Sequence, residues 1–283
     1  MIDSERRKAL QEIIMRGSAY QLAQEDLVFL ADPDLRPVRL QLELLKPENA
    51  LRQHNINSTI VVLGSARLIS PEEAHSRLNQ IEVEIQAQPD NAELVQKRAT
   101  ARRQLAYSHY YDEARRFAQM VSRHFQKEGQ RDFVIVTGGG PGVMEAANLG
   151  AFEVGAHSIG LNITLPDEQE PNPFITPELA FRFHYFALRK MHFLLRARAL
   201  VVFPGGYGTL DELLEVLTLV QTRKMARIPI ILVGNEFWRH AVNFEFLVEQ
   251  GMIHAADAAL FTRVESADEA VTVLQEFYQG TPP

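Results

Sequence analysis

Pro204-Gly205-Gly206-Tyr207-Gly208-Thr209-Leu210-Asp211-Glu212 follows directly on the apolar run Ala199–Phe203. A buried strand ending in glycines, with a helix starting near Thr209, aims several backbone N–H groups and a helix N-terminus at one point. Such a point suits a phosphate or another anion. Glu212, one turn into the helix, places a carboxylate beside whatever is held there. Thr209-x-x-Glu212 is also the spacing of a capping box, in which the glutamate only bonds back to the helix start. On pattern alone both roles of Glu212 stand.

A second strand–glycine–helix junction reads Gly138-Gly139-Gly140-Pro141-Gly142-Val143-Met144-Glu145. Pro141 fits a first helical turn, where a missing N–H costs little, and the glycines let the backbone approach a ligand. It is not a P-loop, since no Gly-Lys-Ser/Thr follows. The first strand ends Gly64-Ser65-Ala66-Arg67 without a Gly-x-Gly-x-x-Gly fingerprint, which disfavours NAD. Glu145 is either a substrate contact or an acid complementing the helix dipole. Arg189 lies early in the helix before Ala199–Phe203, where the first turn faces the same crevice. Its planar fork suits a phosphate or ribose. A Schiff base on the adjacent Lys190 has no other feature to support it.

His157, His184 and His192 do not fall at metal-ligand spacing, and no His-Glu-x-x-His occurs, so no catalytic metal is expected. The absence of Gly-x-Ser-x-Gly weighs against a serine hydrolase. With no cysteine, disulfides, thiolate catalysis and Cys-based metal sites are excluded.

These residues need a frame. Candidate strands are 58–63, 133–137, 158–163, 181–185, 199–203 and 229–233, mostly continuous apolar runs of the kind covered on both faces. Helical stretches at 107–128, 142–155, 186–198, 209–223, 237–250 and 267–279 alternate with them. The rhythm predicts an α/β chain with a doubly wound, Rossmann-like parallel sheet flanked by helices. Residues 1–57 read as an N-terminal helical extension and 58–283 as the nucleotide-binding domain. An insertion at about 71–105 is a helical hairpin, or an extension of the next helix, turning at Pro89-Asp90-Asn91. Residues 165–177, with four prolines, form a long loop near strand ends. The net charge of −7 over 283 residues argues against nucleic acid as the main partner. No apolar run reaches a membrane span, and no signal-peptide core follows Met1, so a cytoplasmic protein is expected.

With these segments in hand, the chain resembles the LOG ("lonely guy") family of cytokinin-activating or nucleoside 5′-monophosphate phosphoribohydrolases. The resemblance is carried by Thr137–Asn148, Ser158–Ile163, Phe183-His184-Tyr185-Phe186-Ala187-Leu188-Arg189-Lys190 and Pro204–Thr222. It runs from about Ser58 to Tyr278, interrupted by the insertion, and the Phe-His-Tyr-Phe run is similar to a bacterial branch. It implies hydrolysis of the N-glycosidic bond of an AMP-like or cytokinin riboside monophosphate, giving free base and ribose 5-phosphate without a metal or redox cofactor. It further implies Arg189 and Glu212 as the catalytic pair, with Gly205, Gly206, Gly208 and Thr209 on the 5′-phosphate. Gly139, Gly140 and Glu145 would line the nucleotide pocket, and Lys190 would contact substrate. A homodimer or larger homo-oligomer is implied as well. The alternative is a non-catalytic nucleotide or molybdenum-cofactor carrier of the same fold, which would need the glycines but not the Arg189/Glu212 pair.

Overall fold

The computed structural model describes residues 3–127, 129–165 and 170–279. The chain divides into two units, Met1–Lys46 and Pro47–Pro283. In the first, α1 (Ser4–Arg16) starts where the Asp3 side chain accepts from the Arg6 N–H, and α2 (Leu27–Leu30) where Asp26 does the same for Val28 and Phe29. Neither helix buries a residue. The division falls within α3 (Arg36–Gln53), because Leu51 already packs in the core of the second unit with Ile56 and Val61.

That second unit holds β1 (Thr59–Leu63), α4 (Pro71–Ala87), α5 (Ala92–Tyr107), α6 (His109–Phe125) and a small antiparallel ribbon, β2 (Gln126–Lys127) with β3 (Gln130–Arg131). There follow β4 (Val134–Thr137), α7 (Val143–Glu153), β5 (Ser158–Ile163), β6 (Ala180–Phe183), α8 (Phe186–Leu195), β7 (Ala197–Val202) and α9 (Tyr207–Gln221). The chain closes with β8 (Ile230–Val233), α10 (Asn235–Ala241), α11 (Phe244–Glu249), β9 (Thr262–Val264) and α12 (Ala267–Tyr278).

Seven parallel strands form one sheet in the order β6-β5-β4-β1-β7-β8-β9. The expected doubly wound α/β architecture is therefore the observed one. Every residue of β1, β4 and β8 is buried, as continuous apolar runs require when helices cover both faces. Strand alternation divides the core in two. Ile60, Val62 and Ile135 pack with Phe117 of α6 on one face, while Val61, Val134 and Val136 pack with Leu213 and Trp238 on the other. On α6, Ala114, Phe117, Ala118 and Val121 fall at i, i+3, i+4 and i+7 and are fully buried. Truncating Phe117 to Ala would cost about 3–5 kcal/mol.

The chain leaves the middle of the sheet at β1, toward β4 on one side and β7 on the other. The crevice of such a sheet opens at this reversal, outside the strand C-termini. The loops after β1, β4 and β7 meet there, and they carry Gly64, Gly138–Gly140 and Gly205–Gly206.

Local departures from expectation have local causes. The 237–250 helix is broken into α10 and α11, because Asn243 caps a new start by accepting from the Phe246 N–H. The strand β9 has only three residues, one of them apolar, too short for any periodicity. Helices α4 and α5 form a hairpin, capped at Ser70 and Asn91, in which Glu82 pairs with Arg98 and Arg102. In the proline-rich 165–177 loop, residues 166–169 lie outside the described residues.

Candidate active site

The short loop after β1 links the two glycine junctions. The Ser65 N–H donates to the Pro204 carbonyl at 3.0 Å, and the Ser65 carbonyl accepts from Val143 at 3.2 Å. Gly142 makes the second contact sterically possible. It has φ +73°, and a Cβ there would sit 2.3 Å from the Ser65 carbonyl oxygen. Gly205 is similarly constrained, since a Cβ would lie 2.1 Å from the Thr209 hydroxyl.

The helix start is earlier than the sequence pattern suggests. Gly206 is the N-cap of α9 and makes no side-chain cap bond, so Thr209 is the third helical residue and not the cap. Glu212 is thereby carried out of reach of the first free N–H groups, and no capping box forms. The first intrahelical donor is Leu210, to the Gly206 carbonyl, which leaves the N–H groups of Tyr207, Gly208 and Thr209 without helical partners. A Cβ on Gly206 or Gly208 would meet nothing within 4 Å, so the turn is open on that side. Free N–H groups at a helix start are a geometry suited to an anion.

A cleft of about 720 Å³ opens over the turn. Its charged lining residues are Arg67, Arg189, Asp211 and Glu212. Gly205, Gly206, Gly208 and Thr209 also line it, so six of the sequence-predicted site residues come together here. Four do not. Gly139 and Gly140 are turned inward, their carbonyls accepting from the Asn162 side chain at 3.2 Å and the Asn172 side chain at 3.0 Å. Gly138 and Met144 face the cleft in their place. Glu145 accepts from the Tyr111 hydroxyl at 3.1 Å and lines a separate cavity of about 470 Å³. Lys190 is drawn aside into ion pairs with Asp211 at 2.9 Å and Glu215 at 3.0 Å.

Pattern reading passed over Ser65, Arg67, Tyr107, Phe186, Tyr207 and Phe237, which all line the cleft. Ser65 and Arg67 had a signal, standing at the C-terminus of the first strand. Tyr107 and Phe237 had none, because they arrive from the inserted hairpin and from α10. Gly138, Met144, Phe186 and Arg189 also border a smaller cavity of about 170 Å³, with Asn162 and Leu165.

A buried network supports the second junction. The Thr137 hydroxyl donates to Asn148 Oδ1 at 2.7 Å and accepts from the Gly139 N–H at 3.0 Å. Asn148 Nδ2 donates to Ser158 at 2.9 Å, and Asn172 Nδ2 donates to Asn148 Oδ1 at 3.0 Å. Their polar groups satisfy one another, so they are read as scaffold.

The electrostatics single out two side chains. Glu212 is 9% exposed, and among the described residues its carboxyl makes no hydrogen bond. Burial pushes its pKa from 4.5 up to about 7, against the pull of Lys190 and Arg189 and with help from Glu215 and Asp211. Burial also lowers Arg189 from its usual range, opposed by Glu212. The Arg189 Nε donates to the Leu161 carbonyl at 2.7 Å, and the guanidinium lies over Phe193 at 5.3 Å from the ring centroid. An arginine held rigidly by backbone and ring, and an acid poised near neutrality, share one cleft with a helix N-terminus. Perturbed acids of this kind gather where proton chemistry is done. Among the described residues, no group of three or more His, Cys, Asp or Glu is placed to hold a metal ion. No helix of the described residues is long and apolar enough to cross a membrane.

The family model described as "Possible lysine decarboxylase" matches residues 144–274. The cytokinin riboside 5′-monophosphate phosphoribohydrolase LOG1 of Arabidopsis thaliana is 31% identical over 153 residues, 52% of this chain and 70% of that protein. A relative from Oryza sativa subsp. japonica, described as "Probable cytokinin riboside 5'-monophosphate phosphoribohydrolase LOG4", is 28% identical over 151 residues, 52% of this chain and 64% of its own length. Among solved structures, the Moco carrier protein of Chlamydomonas reinhardtii overlaps 79% of this chain and 99% of its own, at 17% identity and a TM-score of 0.45. With a relative 31% identical and covered over 70% of its length, the chain belongs to the LOG family.

Proposed function

We propose that the protein hydrolyses the N-glycosidic bond of a nucleoside 5′-monophosphate, releasing the free base and ribose 5-phosphate. The observation that carries this reading is Glu212, 9% exposed and with no hydrogen bond to its carboxyl among the described residues, in one cleft with Arg189 and the open N-terminus of α9. The 5′-phosphate sits on the free N–H groups of Tyr207, Gly208 and Thr209, where the helix dipole favours a dianion. Binding energy from this non-reacting group then fixes the reacting bond.

Cleavage of the C1′–N bond sends its electron pair to the base and builds positive charge on the ribose, as in glycoside hydrolysis. Ionised Glu212 stabilises that charge and takes a proton from the water whose oxygen bonds to C1′. The proton that Glu212 took from the water passes to the departing base at the nitrogen that held the sugar, which returns Glu212 to its ionised form. Arg189, fixed at its Nε, holds the ribose phosphate with its two terminal nitrogens. Base and any substituent on it extend past Arg189 toward the cavity bordered by Asn162 and Leu165. Family membership supports a cytokinin riboside monophosphate alongside AMP as a substrate to test; a second copy of this chain is proposed as its partner.

The family model's description names a possible lysine decarboxylase, but the surroundings of Lys190 disfavour a Schiff base there. Burial alone would lower that ammonium's pKa, but its ion pairs to the Asp211 and Glu215 carboxylates outweigh it and raise the value, holding the amine as a poor nucleophile. The test is incubation with AMP, GMP, CMP, UMP and isopentenyl-AMP, with chromatographic detection of free base. Release that disappears in Glu212→Gln is the expected result. Tight nucleotide binding with no base released from any of the five would sink the hydrolase in favour of a carrier.

A further inference from the structure

We infer that Lys190 is a positioning residue, which clamps α8 to α9 so that Arg189 and Glu212 are presented to the same cleft. The inference rests on the hydrolase reading of that cleft, but its geometry stands apart from it. Lys190 does not line the cleft. Its side chain is 19% exposed, and its Nζ lies 2.9 Å from Asp211 Oδ2 and 3.0 Å from Glu215 Oε2.

Asp211 and Glu215 are four residues apart, so they lie one above the other on a single face of α9. An ammonium bound to both fixes α9 in two ways, in rotation about its axis and in translation along it. Glu212 follows Asp211 by one residue, about 100° around the helix. Arg189 precedes Lys190 by one residue on α8. The clamped faces are therefore neighbours of the faces that carry the two cleft groups. A slip of a single residue on α9 would move Glu212 by about 1.5 Å and turn it by about 100°, enough to remove it from the cleft.

The clamp is also electrostatic. The charged groups acting on Glu212 are Arg189 and Lys190 from α8, and Asp211 and Glu215 from α9 itself. Arg67, from the loop after β1, is the other charged residue lining the cleft. Lys190 offsets one of the two negative charges that Asp211 and Glu215 place on either side of Glu212 in sequence. Without it, three acids would crowd the first turns of α9, opposed only by Arg189 and the helix dipole. Lys190 thus governs the protonation of a group it need not touch.

The test reads Glu212 directly and does not depend on turnover. In protein labelled with carboxyl-¹³C glutamate, the Glu212 resonance is identified by its loss in Glu212→Gln and followed through a pH titration. In Lys190→Met, the Glu212 midpoint should rise by about one pH unit or more. Base release from AMP should lose at least about tenfold in kcat, with KM held within about threefold. Lys190→Arg, which keeps the charge between the same carboxylates, should restore the midpoint and recover part of kcat.

A KM raised about tenfold with an unchanged Glu212 midpoint would overturn the inference and make Lys190 a substrate contact. So would a Lys190→Met variant unchanged in both midpoint and kcat. Wild-type protein that releases no base defeats the hydrolase reading alone, and the titration then decides the clamp by itself.

Discussion

Replacing Glu212 by Gln should make the protein more stable while abolishing its proposed activity, and the size of the effect follows from the burial of one carboxyl. In the folded chain Glu212 titrates at about 7, against 4.5 when exposed. The folded state therefore binds this proton more tightly than the unfolded state does. Its stabilising contribution is complete below about pH 4.5 and is lost as pH rises through about 7. At about 1.4 kcal/mol per pH unit, the loss amounts to about 3 kcal/mol by pH 8. Glutamine has nearly the same shape and no proton to lose.

Glu212→Gln should thus match wild type near pH 4.5 and exceed it by about 3 kcal/mol at pH 8. For a chain of this size the gain corresponds to roughly 6–12 °C in melting temperature. The assay is urea denaturation of both proteins at half-unit pH steps from 4.5 to 8.5, reading the difference in unfolding free energy. Parallel pH dependences for the two proteins would refute the reasoning, because they would mean that Glu212 ionises in the fold as readily as in water. A variant less stable at pH 8 would mean that its negative charge is needed to hold Arg189 and Lys190.

Other outcomes follow from the same geometry. As Glu212 acts ionised, log kcat/KM for AMP should climb with unit slope below about pH 7 and level off above it, a limb to be traced by initial rates across pH. Arg189→Lys should cost about 100-fold or more in kcat/KM at saturating folding, because an ammonium cannot hold both the Leu161 carbonyl and the substrate; steady-state kinetics and circular dichroism check this together. Gly205→Ala drives a methyl against the Thr209 hydroxyl, and should cost about 1–3 kcal/mol and weaken nucleotide binding measured by calorimetry. Asn148→Ala strands the hydroxyl of Thr137 and the amide of Asn172, and should cost about 2–4 kcal/mol in urea denaturation without moving the pH limb.

The frame was legible because both-face burial writes itself into continuous apolar runs, as at Ile60–Leu63 and Ile230–Val233. The strand-to-helix junction at Pro204–Gly206 was legible for a related reason, since glycines after a continuous apolar run mark a tight turn. Glu212 was visible but ambiguous. Its spacing from Thr209 fits a cap, and only the start of α9 at Tyr207 removes that role. Gly139, Gly140 and Glu145 misled because pattern reading assigns a junction to its ligand without knowing which way the backbone turns. Here Asn162 and Asn172, distant in sequence, claim those carbonyls, and Tyr111 claims the acid. Lys190 misled because a charged neighbour of Arg189 looks like a second hand on the substrate. Partners contributed across elements leave no local pattern, and Tyr107 and Phe237 were unreadable for the same reason.

The loop after β1 has a mechanical consequence. Ser65 grips Pro204 with its N–H and Val143 with its carbonyl, so one residue staples both glycine turns to the same strand end. Neither turn can shift without dragging the other. Strain introduced at Gly142 must reach the Gly205–Gly206 turn more than sixty residues away in sequence, and an anion held at that turn, as proposed, would stiffen the start of α7. Amide exchange at Val143 should therefore slow when inorganic phosphate binds at the start of α9, an effect carried through Ser65.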